Sequence, residues 1–128
     1  MFGWWKKPVP VQEEESDQGP PDEAEKVLKI KMLCETGKWS AANLGDSSLD
    51  DETLNYEQGV YQKRKEAALE LARELTDEFY RDSALYFIIE LCMAGNELDD
   101  AKRLLNVIEV DFMKEKILEA YPRLRAKF

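Results

Sequence analysis

The feature that most constrains the fold of this chain is an internal repeat of 33 residues. When the segment that begins at Glu66 is shifted by 33 positions, it falls on the segment that begins at Asp99, and apolar residues fall on apolar residues. The matched pairs are Ala68 and Ala101, Leu71 and Leu104, Leu75 and Ile108, Phe79 and Phe112, Ala84 and Ile117, and Leu85 and Leu118. An apolar pattern with a period of this length is typical of stacked helical pairs, in which each unit buries one face against the next. Folds of this class mostly bind other molecules.

Length and composition predict one soluble cytoplasmic domain. A chain of 128 residues supports a single hydrophobic core. Its formal net charge of −9 repels nucleic-acid phosphates, so we expect no nucleic-acid partner. Two cysteines are too few for a disulfide scaffold and favour a reducing compartment. No apolar run approaches the ~20 residues of a membrane span, and the first residues lack the apolar core of a signal peptide.

Composition divides the chain into three segments. Residues 1–22 contain four prolines and an acidic run, which predict a flexible N-terminal arm without helix or sheet. Residues 23–123 form the predicted helical domain, and residues 124–128 are a basic C-terminal tail.

Apolar periodicity predicts an all-α domain of about five helices in stacked antiparallel hairpins, either as a fragment of an α-solenoid or as a compact helical bundle. The predicted helices span residues 22–37, 58–76, 79–94, 98–109 and 111–121, with an irregular segment between Trp39 and Tyr56 that holds a short helical turn. The third helix has little polar surface and should lie at the centre. We expect eight apolar side chains to be buried together: Leu71, Leu75, Ala84, Leu85, Ile88, Leu91, Leu104 and Ile108.

Two glycines are predicted to end helices. The stretch from Leu33 to Gly37 matches the stretch from Leu91 to Gly95 at an offset of 58, and each closes on a glycine. Because glycine adopts the left-handed conformation without strain, we expect a positive φ at both Gly37 and Gly95.

The unit from Arg81 to Glu109 resembles the helix–turn–helix units of tetratricopeptide-like repeat proteins. The matched positions are Ala84, the turn Ala94-Gly95-Asn96, and Ala101. What this resemblance implies is a concave helical surface that binds a peptide or another protein.

The sequence offers no constellation typical of catalysis, and we predict neither an enzyme nor a cofactor. Without histidine, a cysteine nucleophile would lack its usual imidazole partner. Cys34 and Cys92 lie near predicted helix ends. We interpret them as small buried residues that pack between helices and not as reactive thiols.

An acidic segment has the spacing of a calcium loop, but two of its positions contradict that interpretation. The oxygen-bearing residues at loop positions one, three, five, seven and twelve are Asp46, Ser48, Asp50, Glu52 and Glu57. Asp51 occupies the sixth position, where the loop requires glycine, and Leu54 supplies no ligand at the ninth. Helix capping explains the same residues, so we predict no metal site.

The N-terminal arm opens with an aromatic cluster that has no role in the repeat. Phe2, Trp4 and Trp5 precede Lys6 and Lys7. The cluster could fold back on its own domain, anchor in a partner protein, or lie at a membrane interface. The acidic run just behind it disfavours the membrane interpretation.

In stacked hairpins the first, third and fifth helices line the inner wall, and this predicts a second set of partner contacts. The candidates are Trp39, Tyr80, Tyr86, Phe87, Met113 and Tyr121. The alternative is that a helical bundle buries all of them. The sequence thus predicts a non-enzymatic protein-interaction module that acts as an adaptor, chaperone or regulator; the alternative is a membrane-surface accessory protein anchored by the arm.

Overall fold

The computed structural model describes residues 21–125, which form five α-helices and a short 3-10 turn. The elements are α1 (Pro21–Asn43), α2 (Asp51–Arg73), α3 (Glu78–Ala94), α4 (Leu98–Val107), α5 (Asp111–Ala120) and the 3-10 turn Pro122–Arg125. No strand occurs within residues 21–125. The predicted all-α fold of about five helices is confirmed. The first helix begins at Pro21, and Leu124 in the 3-10 turn is buried.

The third helix lies at the centre, as predicted, and contacts the other four helices. It packs between α1 and α5, while α2 covers α1 and α3, and α4 packs on α3. Seven of the eight residues predicted for the core are buried, and Leu104 is half-buried against it. Among the described residues, no helix covers the side of α1 on which Leu28, Met32 and Trp39 are more than half exposed.

Gly37 does not end α1, so the predicted helix end there is wrong. The helix continues to Asn43, and the φ of Gly37 lies outside the left-handed region. A Cβ at this position would lie 3.1 Å from Leu91 Cδ1 and 3.3 Å from Arg64 Cβ. Gly37 therefore lets α1 approach α2 and α3 closely, which is a packing role inside the helix.

The end of α3 is predicted correctly, but the left-handed residue is Asn96 and not Gly95. Gly95 has a φ of −89°, whereas Asn96 has a φ of 61°. The Glu97 N–H donates to the Cys92 carbonyl at 2.8 Å, and the Asn96 N–H donates to that of Met93 at 3.1 Å. These two bonds form a Schellman motif, in which asparagine can take the left-handed position.

The irregular segment is shorter than predicted and spans residues 44–50. Trp39 belongs to α1, and α2 begins at Asp51. Asp50 accepts from the Thr53 N–H at 2.8 Å and is the N-cap of α2. Asp46 accepts from Ser48 N at 2.9 Å, so both carboxylates satisfy local backbone donors.

A buried carboxylate holds the junction between α4 and α5. Asp82 on α3 is fully buried, and its Oδ2 accepts from the backbone N–H groups of Glu109 and Val110 at 2.9 and 2.8 Å. These donors lie just before the first turn of α5. Asp82 thus ties the start of α5 to the central helix.

Glu23 on α1 makes the corresponding contact at the junction between α2 and α3. Its carboxylate accepts from the backbone N–H groups of Thr76 and Asp77, each at 3.0 Å. Each of these donors precedes its counterpart at the α4–α5 junction by 33 residues, the interval of the apolar pattern. The paired helices nevertheless differ in length, since α2 has 23 residues and α4 has 10.

Candidate functional site

The first helix exposes a stripe of large apolar side chains. Leu28, Met32 and Trp39 are 57%, 61% and 76% exposed. Because they are separated by four and seven positions, they share one side of the helix, and we call them the α1 stripe. Trp39 was a predicted contact residue, whereas Leu28 and Met32 were missed. Their helical spacing could have revealed them, but the assumed end at Gly37 separated them from Trp39.

Three of the predicted contact residues lie close together, two on α3 and one directly after α5. The rings of Tyr86 and Phe87 are 5.9 Å apart and half-buried, and Tyr121 follows the last residue of α5. Burial raises the pKa of both tyrosines, and the charge of Glu90 raises each further. We call Tyr86, Phe87 and Tyr121 the aromatic cluster.

A cation joins the aromatic cluster to α1. Lys31 on α1 places its Nζ 6.0 Å from the centroid of the Phe87 ring, within the range of a cation–π contact. Lys31 lies three residues after Leu28, so the α1 stripe and the aromatic cluster occupy adjoining regions of the surface. Together they cross from α1 to α5.

An open depression of about 320 Å³ lies between Lys38 of α1 and the C-terminal ends of α3 and α5. Its floor contains an ion pair, in which Lys38 Nζ lies 3.5 Å from Glu90 Oε1. The full lining is Lys38, Glu90, Met93, Ala94, Ala120, Tyr121, Pro122 and Arg123. A space of this size and mixed polarity can accept a large side chain of a bound peptide.

The other predicted contact residues have different surroundings. Tyr80 is half-buried and packs edge-on against Phe79, with 6.4 Å between the ring centroids. Met113 is only 7% exposed and belongs to the core, so the prediction that it contacts a partner is wrong. Phe2, Trp4 and Trp5 lie outside the described residues.

Both cysteines are free and fully buried, one on α1 and one on α3. Burial raises the pKa of Cys34 and of Cys92 to about 12. A thiol with such a pKa supplies almost no thiolate near neutral pH, and thiolate is the reactive form. Their environment therefore favours packing over reactivity.

The most extensive polar network joins α2 to the start of α4, and sequence reasoning missed it. Lys65, which is 7% exposed, donates to Glu97 and to Asp100 Oδ2, the latter at 2.9 Å. Tyr61 donates to the same glutamate at 2.7 Å. Burial favours the neutral form of Glu97, but the bonds from Lys65 and Tyr61 prevail and lower its pKa. The bond from Lys65 also lowers the pKa of Asp100. The network joins two helices through hydrogen bonds and ion pairs.

Two further properties of residues 21–125 bear on the site. No group of three or more His, Cys, Asp and Glu side chains in this range is placed to hold a metal ion. None of the helices formed by these residues combines the length and the apolar character needed to cross a bilayer.

Comparison with protein-family models, with curated proteins and with solved structures finds no match to this chain. The resemblance to tetratricopeptide-like repeats therefore stays a prediction that rests on the residues named above.

Proposed function

We propose that this domain is a non-enzymatic protein-interaction module whose partner binds across α1, α3 and α5. The observation that carries the proposal is the α1 stripe, in which three large apolar side chains are more than half exposed within two to three helical turns. Apolar side chains clustered on a surface in this way typically mark a site of interaction. The aromatic cluster extends the same surface toward the depression.

The composition of this surface indicates a protein partner. Tryptophan, tyrosine and methionine are enriched at protein interfaces, and Trp39, Met32 and Tyr86 supply all three. The described residues contain 15 Lys and Arg against 23 Asp and Glu, a net charge of −8. A partner with apolar anchors and a basic periphery would complement them.

A cytoplasmic adaptor, chaperone or regulator of one particular partner fits this proposal. The absence of histidine from the whole sequence and the buried, high-pKa thiols support a binding role over catalysis. The implied tetratricopeptide-like architecture supports the same role.

Affinity capture from the native host, followed by mass spectrometry, would identify the partner, and substitutions would then locate the contact. We expect Trp39→Ala and Tyr86→Ala each to weaken binding by about tenfold or more, as loss of an interface hot spot does. Tyr56→Ala is the matched control, since Tyr56 is 68% exposed but lies on α2, which is not part of the proposed surface. Normal binding by both test variants would place the contact elsewhere.

The alternative role at a membrane surface has its own test. Flotation with anionic vesicles is compared for the full chain and for a chain that lacks residues 1–11. Vesicle binding that disappears with the deletion would favour the membrane role over the proposal.

A further inference from the structure

The α1 stripe lacks a cover within the described residues, although a chain segment of suitable composition, residues 2–7, is separated from α1 by 13 residues. Residues 2–7 have the sequence Phe-Gly-Trp-Trp-Lys-Lys and lie outside the described range. Each tryptophan removes roughly 150–250 Å² from water when it is buried, so two of them could cover much of the stripe.

The connection between this segment and α1 is long enough. Trp39 lies 18 residues after Pro21, which is about 27 Å along the helix axis. Trp5 lies 16 positions before Pro21, and an extended chain of that length reaches about 53 Å. A segment tethered so closely has an effective concentration on the order of millimolar at the stripe, so weak contacts suffice to hold it.

The order of charges favours an antiparallel arrangement of the segment along α1. Within the span of the stripe, two lysines come first, then a glutamate, then a lysine that pairs with α3: Lys29, Lys31, Glu35 and Lys38. Read backwards from α1, the preceding segment has acids first and lysines next: Asp17, Glu15, Glu14, Glu13, Lys7 and Lys6. Antiparallel packing therefore brings the acids toward the first two lysines and the lysine pair toward the glutamate when the connection spans about half of its extended length.

We propose that the N-terminal segment folds back antiparallel to α1 and places Trp4 and Trp5 on the α1 stripe. This docking is a property of the isolated chain and does not depend on the proposed function.

Paramagnetic broadening in the full-length chain tests the docking directly. A nitroxide is attached at Gly3→Cys, which thiol reagents reach selectively because Cys34 and Cys92 are buried and have raised pKa values. We expect the backbone amides of residues 28–39 to lose most of their signal intensity, while those of α4 keep theirs. Unchanged intensities along α1 would overturn the proposal.

Two sets of variants identify the contact. Met32→Ser combined with Trp39→Ser should restore the α1 signals, and so should Trp4→Ser combined with Trp5→Ser, which leaves the described helices intact. Phe112→Ser should leave the broadening in place. Broadening that persists when both tryptophans of the segment are replaced would contradict the assigned contact.

A mixed sample separates this arrangement from pairing of two chains. Isotope-labelled chain without nitroxide is mixed with unlabelled chain that carries it. Loss of the α1 signals in this mixture would mean that a second copy supplies the segment, which would overturn the intramolecular proposal. An unaffected mixture, together with broadening in the single-chain sample, would support it.

Discussion

At both Gly95 and Gly37, neighbouring side chains leave little room for a Cβ atom. A Cβ on Gly95 would lie 2.8 Å from Tyr61 Cε1 and closer still to the hydroxyl of that ring. Tyr61 is buried and hydrogen-bonded to Glu97, so its ring cannot move away without disturbing the network between α2 and α4. The backbone at Gly95, in contrast, has an ordinary φ that any residue could adopt.

We therefore expect Gly95→Ala to destabilise the domain by about 1–3 kcal/mol, the usual penalty for overpacking a core. Gly59→Ala is the control, because Gly59 is exposed in α2 and a Cβ there has nothing within 4 Å. Alanine favours the helix over glycine by up to about 1 kcal/mol, so this variant should be more stable than the parent. Urea denaturation measures both changes. An equal gain in stability for both variants would show that the Tyr61 ring moves away from the added Cβ at little cost in free energy.

At the scale of the helices, side-chain carboxylates determine how successive hairpins join, and the one at the α4–α5 junction is buried. Asp82 provides the acceptor for two backbone N–H groups that precede α5, whose N-cap position, Val110, has no side-chain cap. A buried donor without a partner is destabilising, so the position of α5 depends on this side chain.

Asp82→Ala should lower the free energy of unfolding by about 3 kcal/mol, because two backbone donors at the α4–α5 junction lose their acceptor. Glu23→Ala removes the corresponding acceptor at the more exposed α2–α3 junction, where water can replace it, and should cost about 1 kcal/mol. Chemical denaturation measures the free energy of unfolding of both variants. The assignment would be contradicted if Asp82→Ala were the milder change.

The network around Lys65 makes stability depend on pH. The pKa of Glu97 is below its ordinary value of 4.5 and that of Asp100 below 3.8, so folding favours both charged forms. Their contribution is complete above these ordinary values and disappears as the pH falls through the lower pKa values of the folded state. The raised pKa of Lys65 has the opposite consequence, a loss of stability only above its ordinary value of 10.5.

Replacing Glu97 with Gln should therefore lower the urea midpoint at neutral pH and reduce its further fall below about pH 4.5. Glu66→Gln, an exposed position on α2, serves as the control and should retain the pH dependence of the parent. A Glu97→Gln variant whose midpoint declines with acid as steeply as that of the parent would assign the acid sensitivity to other carboxylates.

For the whole molecule, the packing of α1 against α3 predicts that these helices unfold as one unit. Cys34 and Cys92 report on the two helices separately, since both are buried and each lies on a different one. A thiol reagent should modify both at the same rate, and this rate should rise in parallel with the fraction unfolded in urea. Mass spectrometry distinguishes the two sites. Faster modification of Cys34 would mean that α1 separates from the rest before global unfolding.

Local pattern by itself determined the class of the fold and most of its core. Apolar residues at helical spacing identify α3 and α5 to within about one residue at each end, because helix periodicity and capping act over a few positions. Asp77 shows this well, since its side chain accepts from the Tyr80 N–H at 3.0 Å and begins α3 where expected. The buried spine of α3 follows from the same periodicity.

Only the tertiary structure decided which apolar residues face outward and what each glycine does. Leu28 and Met32 have the same character as core residues, and their exposure depends on the absence of a covering helix among the described elements. Gly37 resembles a helix end in the sequence, but the nearness of Leu91 makes it a packing position. Lys65 meets Glu97 across 32 residues of chain. Contacts between distant segments depend on how the helices pack, and no local spacing specifies that arrangement.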